Sequence, residues 1–316
     1  MKSLITLPFL LLSLIPSFNL ASETTLKKGD IFYLGITDDK SRFTARFKIL
    51  DNEKTSTGEE GMFLLCETLV SDNGKALKFR TEKKPTSNMY QGSNAKKWCE
   101  SFYDSHFSDE EKEWIIPTYK SDESFSIHAP FGVENGPYVD FKPEENALDG
   151  DHLFFLSAKE ICAEKYGLAK EEDRIAPYHK ESEGYWLRSP HIDTFPNDVG
   201  FIFFNGWLMD FIQNSDNVFF TGGTYARPGL NIKKPSAEDI VSIGDNQYCL
   251  TIDKDKYQAS ESPKFKVKNP LPMTIVVLVL TLSLLGFLFI GLPIIIVKTI
   301  KKKKQKAIAN NEKNRL

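Results

Sequence analysis

The chain has 316 residues, and 40 Lys and Arg against 43 Asp and Glu give a formal net charge of -3. That length suits one large domain or two small ones. The last 19 residues hold seven lysines and Arg315 against Glu312 alone, so the rest of the chain is acidic; this argues against a nucleic-acid-binding body, because phosphate contact needs a positive face.

In chain order, Lys2, the apolar run Leu4 to Ile15, the breaker Pro16 and the small residues Ala21 and Ser22 make a secretory signal peptide at 1–22. An extracellular domain is expected over 23–252. Its first half carries the strand-like runs IFYLG (31–35), FTARFKIL (43–50), MFLLCETL (62–69) and HLFFL (152–156). Ser93 is expected to cap a helix that sets Trp98, Phe102 and His106 on one face at i, i+4 spacing. Ser108 with Glu111, and Ser157 with Glu160, have the spacing of capping boxes, in which a hydroxyl and a glutamate bond each other's backbone N–H. The second box opens AKEICAEKYG, for which Gly167 is a left-handed stop. The stretch 117–150 has little periodicity and reads as a long loop or insertion.

A later strand set follows at 199–204, 207–212, 217–220, 224–232 and 247–252, with Asn205-Gly206 and Gly222-Gly223 as hairpin-type turns. Residues 253–270 are polar and lysine-rich and read as a juxtamembrane stalk. The run 271–297 is free of charge and, at about 40 Å as a helix, exceeds a hydrocarbon core of about 30 Å. It is expected as one transmembrane helix, with 298–316 as a basic cytoplasmic tail. The lysines from Lys298 to Lys306 then face anionic inner-leaflet lipids. This layout is that of a type I single-pass protein of the plasma membrane or a secretory-pathway membrane, its N-terminus outside or lumenal. Cys66, Cys99, Cys162 and Cys249 all fall in the outside part, so two disulfides are expected with their pairing open; a buried free thiol at Cys66 is the alternative.

The ordered segments KKGDIFYLG (27–35), WCESFY (98–103), FSDEEKEWI (107–115), DHLFFLS (151–157), YWLRSP (185–190) and ARPGLNI (226–232) resemble an extracellular domain family of unknown function found in surface proteins of anaerobic bacteria. The closing rhythm of W-L-R-S, a glycine hairpin and an R-P strand is similar, more distantly, to the C-type-lectin-like fold shared with formylglycine-generating enzymes. The fold expected is therefore α+β, a C-type-lectin-like mixed domain with antiparallel strands and two to three helices. Fold alone does not choose among the functions such a domain hosts.

Trp186, Arg188 and Arg227 stand out as structural-motif residues: an arginine in an apolar strand either pins carboxylates and carbonyls or binds an anionic ligand. The candidate ligand-binding loops carry His191, Asp193 and Asp198, then Asn205 and Trp207, then Asn214 and Asp216. A Trp face beside amides and acids suits a sugar's C–H face and hydroxyls. No catalytic residue, metal site or cofactor is expected: the histidines lack metal-ligand spacing, and calcium has no supporting motif, since Asn205-Gly-Trp207 stands where calcium-dependent lectins carry Trp-Asn-Asp. The function expected is non-enzymatic recognition of a glycan or a surface protein. An ectoenzyme acting on surface polysaccharide or protein and a self-assembling envelope protein are the alternatives.

Overall fold

The computed structural model describes residues 25–81, 87–121, 147–190, 198–212 and 224–268. Fifteen strands and four α-helices lie in these residues. β1 (Ile31–Tyr33), β2 (Arg46–Asp51) and β3 (Met62–Cys66) form an antiparallel meander. Every residue of β3 is buried, as expected of a strand covered on both faces. β13 (Pro228–Ile232) pairs with β3, and with both β4 (Ile115–Ile116) and β7 (Leu153–Phe155) along its other edge. At the opposite end, β15 (Gln247–Leu250) pairs parallel to β1, and β14 (Ile240–Gly244) closes that edge. These eight strands curve into a half-barrel.

A second sheet is built on β9 (Glu181–Pro190), a ten-residue strand. β8 (Ala176–Tyr178) pairs antiparallel to its start, β12 (Thr224–Tyr225) parallel to its middle, and β10 (Asp198–Ile202) antiparallel along its length; β11 (Leu208–Ile212) follows β10. β5 (Thr118–Lys120) and β6 (Leu148–Asp151) make a separate ribbon. Aromatic contacts fill the interior, among them Phe63 stacked on Phe154, Trp186 edge-on to Phe79, and Phe43 edge-on to Phe102.

α1 (Asn94–His106) starts where expected, with the Ser93 side chain accepting from the Lys96 N–H. Its face stacks Trp98 on Phe102 and Phe102 on His106, at centroid distances of 4.7 and 3.8 Å. Both expected capping boxes form, but each launches a single turn: α2 (Asp109–Lys112) and α3 (Ala158–Ile161). After α3 the chain breaks at Cys162, makes a 3-10 turn at Glu164–Tyr166 and ends on Gly167 in the left-handed region. α4 (Glu171–Arg174) is also one turn.

Three expectations are corrected. The α+β, C-type-lectin-like mixed domain is replaced by a mostly β architecture around a half-barrel, because two expected helices stop after one turn, because residues near 118 and 148 become strands only by pairing with each other across the chain, and because those near 176 and 240 form hairpins with the strands that follow them. The expected disulfides are absent: Cys66, Cys99, Cys162 and Cys249 are all free thiols, held in β3, in α1, at the end of α3 and in β15 respectively. Burial pushes the Cys66 thiol up to about 12 and the Cys249 thiol to about 11, so both behave as small apolar side chains. The expected transmembrane helix, and with it single-pass membrane localisation, gains no support: among the described residues no helix is long and apolar enough to cross a membrane. α1, with 13 residues, is the longest of them, about 20 Å against a core of about 30 Å. The expected signal peptide (1–22), span (271–297) and basic tail (298–316) lie outside the described residues.

Candidate functional site

The residues of the sequence motifs build the interior. Glu160, 4 % exposed, accepts from Arg188 Nη1 at 2.6 Å and from Lys120 Nζ at 2.5 Å, and its capping contact with the Ser157 N–H measures 2.8 Å. Burial opposes its ionisation, but the charges of Arg188 and Lys120 outweigh it and hold Glu160 down at about 2. Arg188 Nη1 also donates to the Phe155 carbonyl, and the guanidinium lies 5.7 Å from the Phe154 ring centroid. Arg227 donates through Nε to the Cys66 carbonyl and through Nη1 to the Arg174 carbonyl and the Tyr185 hydroxyl. Trp186 is buried and donates its indole N–H to the Leu77 carbonyl at 2.7 Å.

Glu111 plays a matching role at the other capping box. It accepts from the Gly35 and Ser108 N–H groups, from Lys256 and from the Tyr257 hydroxyl. Lys256 and Tyr257 belong to the segment expected as a stalk. Over 256–268 that segment runs back along the domain: Arg46 donates to the Ser260 carbonyl and hydroxyl, and Lys266 pairs in parallel register with Glu181.

An open concavity of about 410 Å³ lies where that segment meets the second sheet, lined by Tyr178, His179, Lys180, Glu181, Glu183 and Tyr225. Local sequence explains the layout. His179 and Lys180 are the two turn residues joining β8 to β9, with Tyr178 opposite Glu181, and His179 has φ +58°, as the first position of a two-residue hairpin turn requires. Strand alternation then puts Glu181 and Glu183 on one face. Parallel pairing of β12 sets Tyr225 beside that strand, where its ring stacks on Tyr178 with centroids 4.0 Å apart.

The electrostatics are uneven. Glu183 is only 9 % exposed; one of its oxygens, Oε1, accepts from Lys268 Nζ, whereas the buried Oε2 has no hydrogen-bond partner. Burial raises the Glu183 carboxyl, with neighbouring Glu181 adding to it against the pull of Lys268. Burial and the Glu183 charge push Tyr225 up to about 12. His179 is lowered by burial and by the charges of Arg42 and Lys180, so its imidazole is neutral at pH 7. The result is an aromatic wall, a neutral imidazole and a carboxyl with one oxygen unsatisfied.

Of the expected ligand-binding set, His191, Asp193, Asn214 and Asp216 lie outside the described residues, and Asp198 is described only as the first residue of β10. Asn205 and Trp207 are brought together at the β10–β11 turn: Asn205 Oδ1 accepts from the Trp207 N–H, and the indole N–H donates to Glu171 at 2.6 Å. They fasten that turn to α4 and do not line the concavity. Asp151 spends its carboxylate on Lys96 and on the Asp149 N–H. Among the described residues no group of three or more His, Cys, Asp or Glu is placed to hold a metal ion. Sequence reasoning missed Tyr178, Glu183 and Tyr225. The signal was a two-residue separation between APY and the alternating ESE of β9, at a turn without glycine or asparagine.

A family described as a domain of unknown function (DUF6273) matches residues 59–234, more than half of the chain. No curated protein and no solved structure matches.

Proposed function

The chain belongs to the family of domains of unknown function DUF6273, and on that premise we propose that it is a recognition domain that binds glycans, without cleaving them, at the concavity between Tyr178, Tyr225 and Glu183. The observation that carries this reading is the stacked tyrosine pair beside the carboxylates of Glu181 and Glu183. A sugar ring offers a C–H face to an aromatic wall and hydroxyl donors to carboxylate acceptors. The neutral His179 imidazole adds a donor and an acceptor at the rim. Binding rather than catalysis is supported by how the deep carboxylates are used: Glu111, Asp151 and Glu160 are each committed to a lysine or arginine inside the scaffold.

The test is a glycan array probed with the full chain and with Tyr225→Ala. Selective binding that weakens at least about tenfold, ~1.4 kcal/mol, in the variant is expected. Binding that survives Tyr225→Ala unchanged moves recognition away from this concavity, and an empty array removes the glycan reading.

A further inference from the structure

The two acids of the concavity already hold a cation, and it comes from the chain itself. Lys268 Nζ sits against Glu183 and 3.5 Å from Glu181. The segment that delivers it is fastened lightly at this end. The Ser182 N–H donates to the Lys266 carbonyl, the Lys266 N–H to the Lys180 carbonyl, and the Lys268 N–H to the Ser182 hydroxyl. The bridge it makes with β9 spans one residue pair, Glu181 with Lys266. No element longer than that bridge holds Lys268 in place among the described residues.

We propose that the concavity is built to take the primary ammonium group of an amino sugar, and that Lys268 is a placeholder that a ligand displaces. The proposal rests on the glycan reading above and names the sugar class. Three observations carry it. Two carboxylates on one face of β9 are held around one ammonium. Glu183 is buried to nine-tenths, and its Oε2, itself shielded from solvent, lacks a partner with Lys268 in place, so Lys268 leaves that oxygen unused and a donor reaches it only once neighbouring groups move, as displacement of the lysine requires. An ammonium has three N–H donors; one attached to a sugar ring can serve both carboxylates while the ring lies against the tyrosine wall. An N-acetylated sugar carries neither the charge nor the three donors. With Lys268 in its seat, binding competes against an intramolecular partner at high effective concentration, so the placeholder sets a threshold that only a ligand adding ring contacts crosses.

The experiment titrates the full chain, Lys268→Met, Glu183→Gln and Tyr225→Ala by calorimetry with three probes: an unacetylated glucosamine trisaccharide, its N-acetylated counterpart, and Nα-acetyl-lysine amide. The expected result is that the amino trisaccharide binds the Lys268→Met variant about tenfold tighter than the parent chain, and binds both at least about tenfold tighter than the acetylated sugar does. Glu183→Gln abolishes that preference, with its fold checked by circular dichroism; should it fail to fold, the acetylated-sugar comparison on the parent chain decides alone. Equal binding of the two trisaccharides, lost in Tyr225→Ala, overturns the ammonium inference and leaves glycan recognition standing. Binding of the lysine amide at least as tight as that of the sugar, lost in Glu183→Gln, keeps the ammonium seat and overturns the glycan reading in favour of a protein ligand. No binding by any probe overturns both.

Discussion

Arg188 is wholly buried and pairs with the buried carboxylate of Glu160, which Lys120 shares. Breaking a buried ion pair by removing one member costs about 3–5 kcal/mol, more than the pair itself contributes; with Arg188 gone, Lys120 still offsets part of the Glu160 charge. Arg188→Met is therefore expected to lower stability by about 3 kcal/mol, the low end of that range, in urea unfolding, and Arg188→Met with Glu160→Gln to recover part of the loss. The pH dependence has a definite sign. Glu160 titrates at about 2 in the fold against an ordinary 4.5, so the unfolded chain binds its proton first. Its contribution is fully present above about 4.5 and is lost as pH falls towards about 2. The acid limb of the stability profile should flatten in Glu160→Gln; an unchanged limb would show that other carboxylates govern acid unfolding. At this scale the sequence was informative about which residues matter and silent about how. Arg188, Arg227 and Trp186 were marked by their place in apolar strands, but their partners come from positions 28 to 161 residues away, and no spacing rule reaches that far.

Elements were legible wherever the code is local. Ser93, Ser108 and Ser157 each cap a helix because the hydroxyl and the N–H it accepts from lie within three residues of one another. Lengths were not legible: α3 stops after one turn at Cys162 although AKEICAEKYG holds no breaker before Gly167. Strands such as β5, β6 and β14 are set by pairing and carry little alternation of their own. The β10–β11 turn combines both kinds of signal. Asn205-Gly206 marks it in the sequence, and Gly206 adopts φ +90° where an added Cβ would run into the Glu171 carbonyl. An alanine there meets backbone strain and a direct clash, each about 1–3 kcal/mol. Gly206→Ala should lower the thermal midpoint and, by pushing α4 away, break the Trp207–Glu171 bond; tryptophan fluorescence reads that second effect. A midpoint shift with fluorescence unchanged would place the strain in the turn alone.

At the level of the whole molecule, the four cysteines separate two kinds of stabilisation. An even count suggested covalent staples, but the thiols sit in separate elements and a core of buried aromatic and aliphatic residues holds the half-barrel together. Alkylation with iodoacetamide in denaturant, without reductant, should add four labels per chain; in native buffer Cys162, the one cysteine that is not fully buried, should react first. Two labels or none in denaturant would restore the disulfides. The concavity was hidden from the sequence for a related reason: it needs β8, β9 and β12 side by side, and the pairing of β12 with β9 joins residues 40 apart, Thr224 with Gly184 and Tyr225 with Tyr185.

The parallel contact of β1 with β15 has a mechanical consequence. The chain enters the pair at Ile31 and leaves it after Leu250, at opposite ends of a parallel register. A pull on the two flanks of the domain therefore loads those backbone bonds in shear, all at once, instead of unzipping them singly. Before that load arrives the segment 256–268 has to peel away, giving up Lys268, then Ser260, then Tyr257. Weak tension would thus bare the acids of the concavity while the half-barrel keeps its shape, and only a much larger force would open the barrel itself.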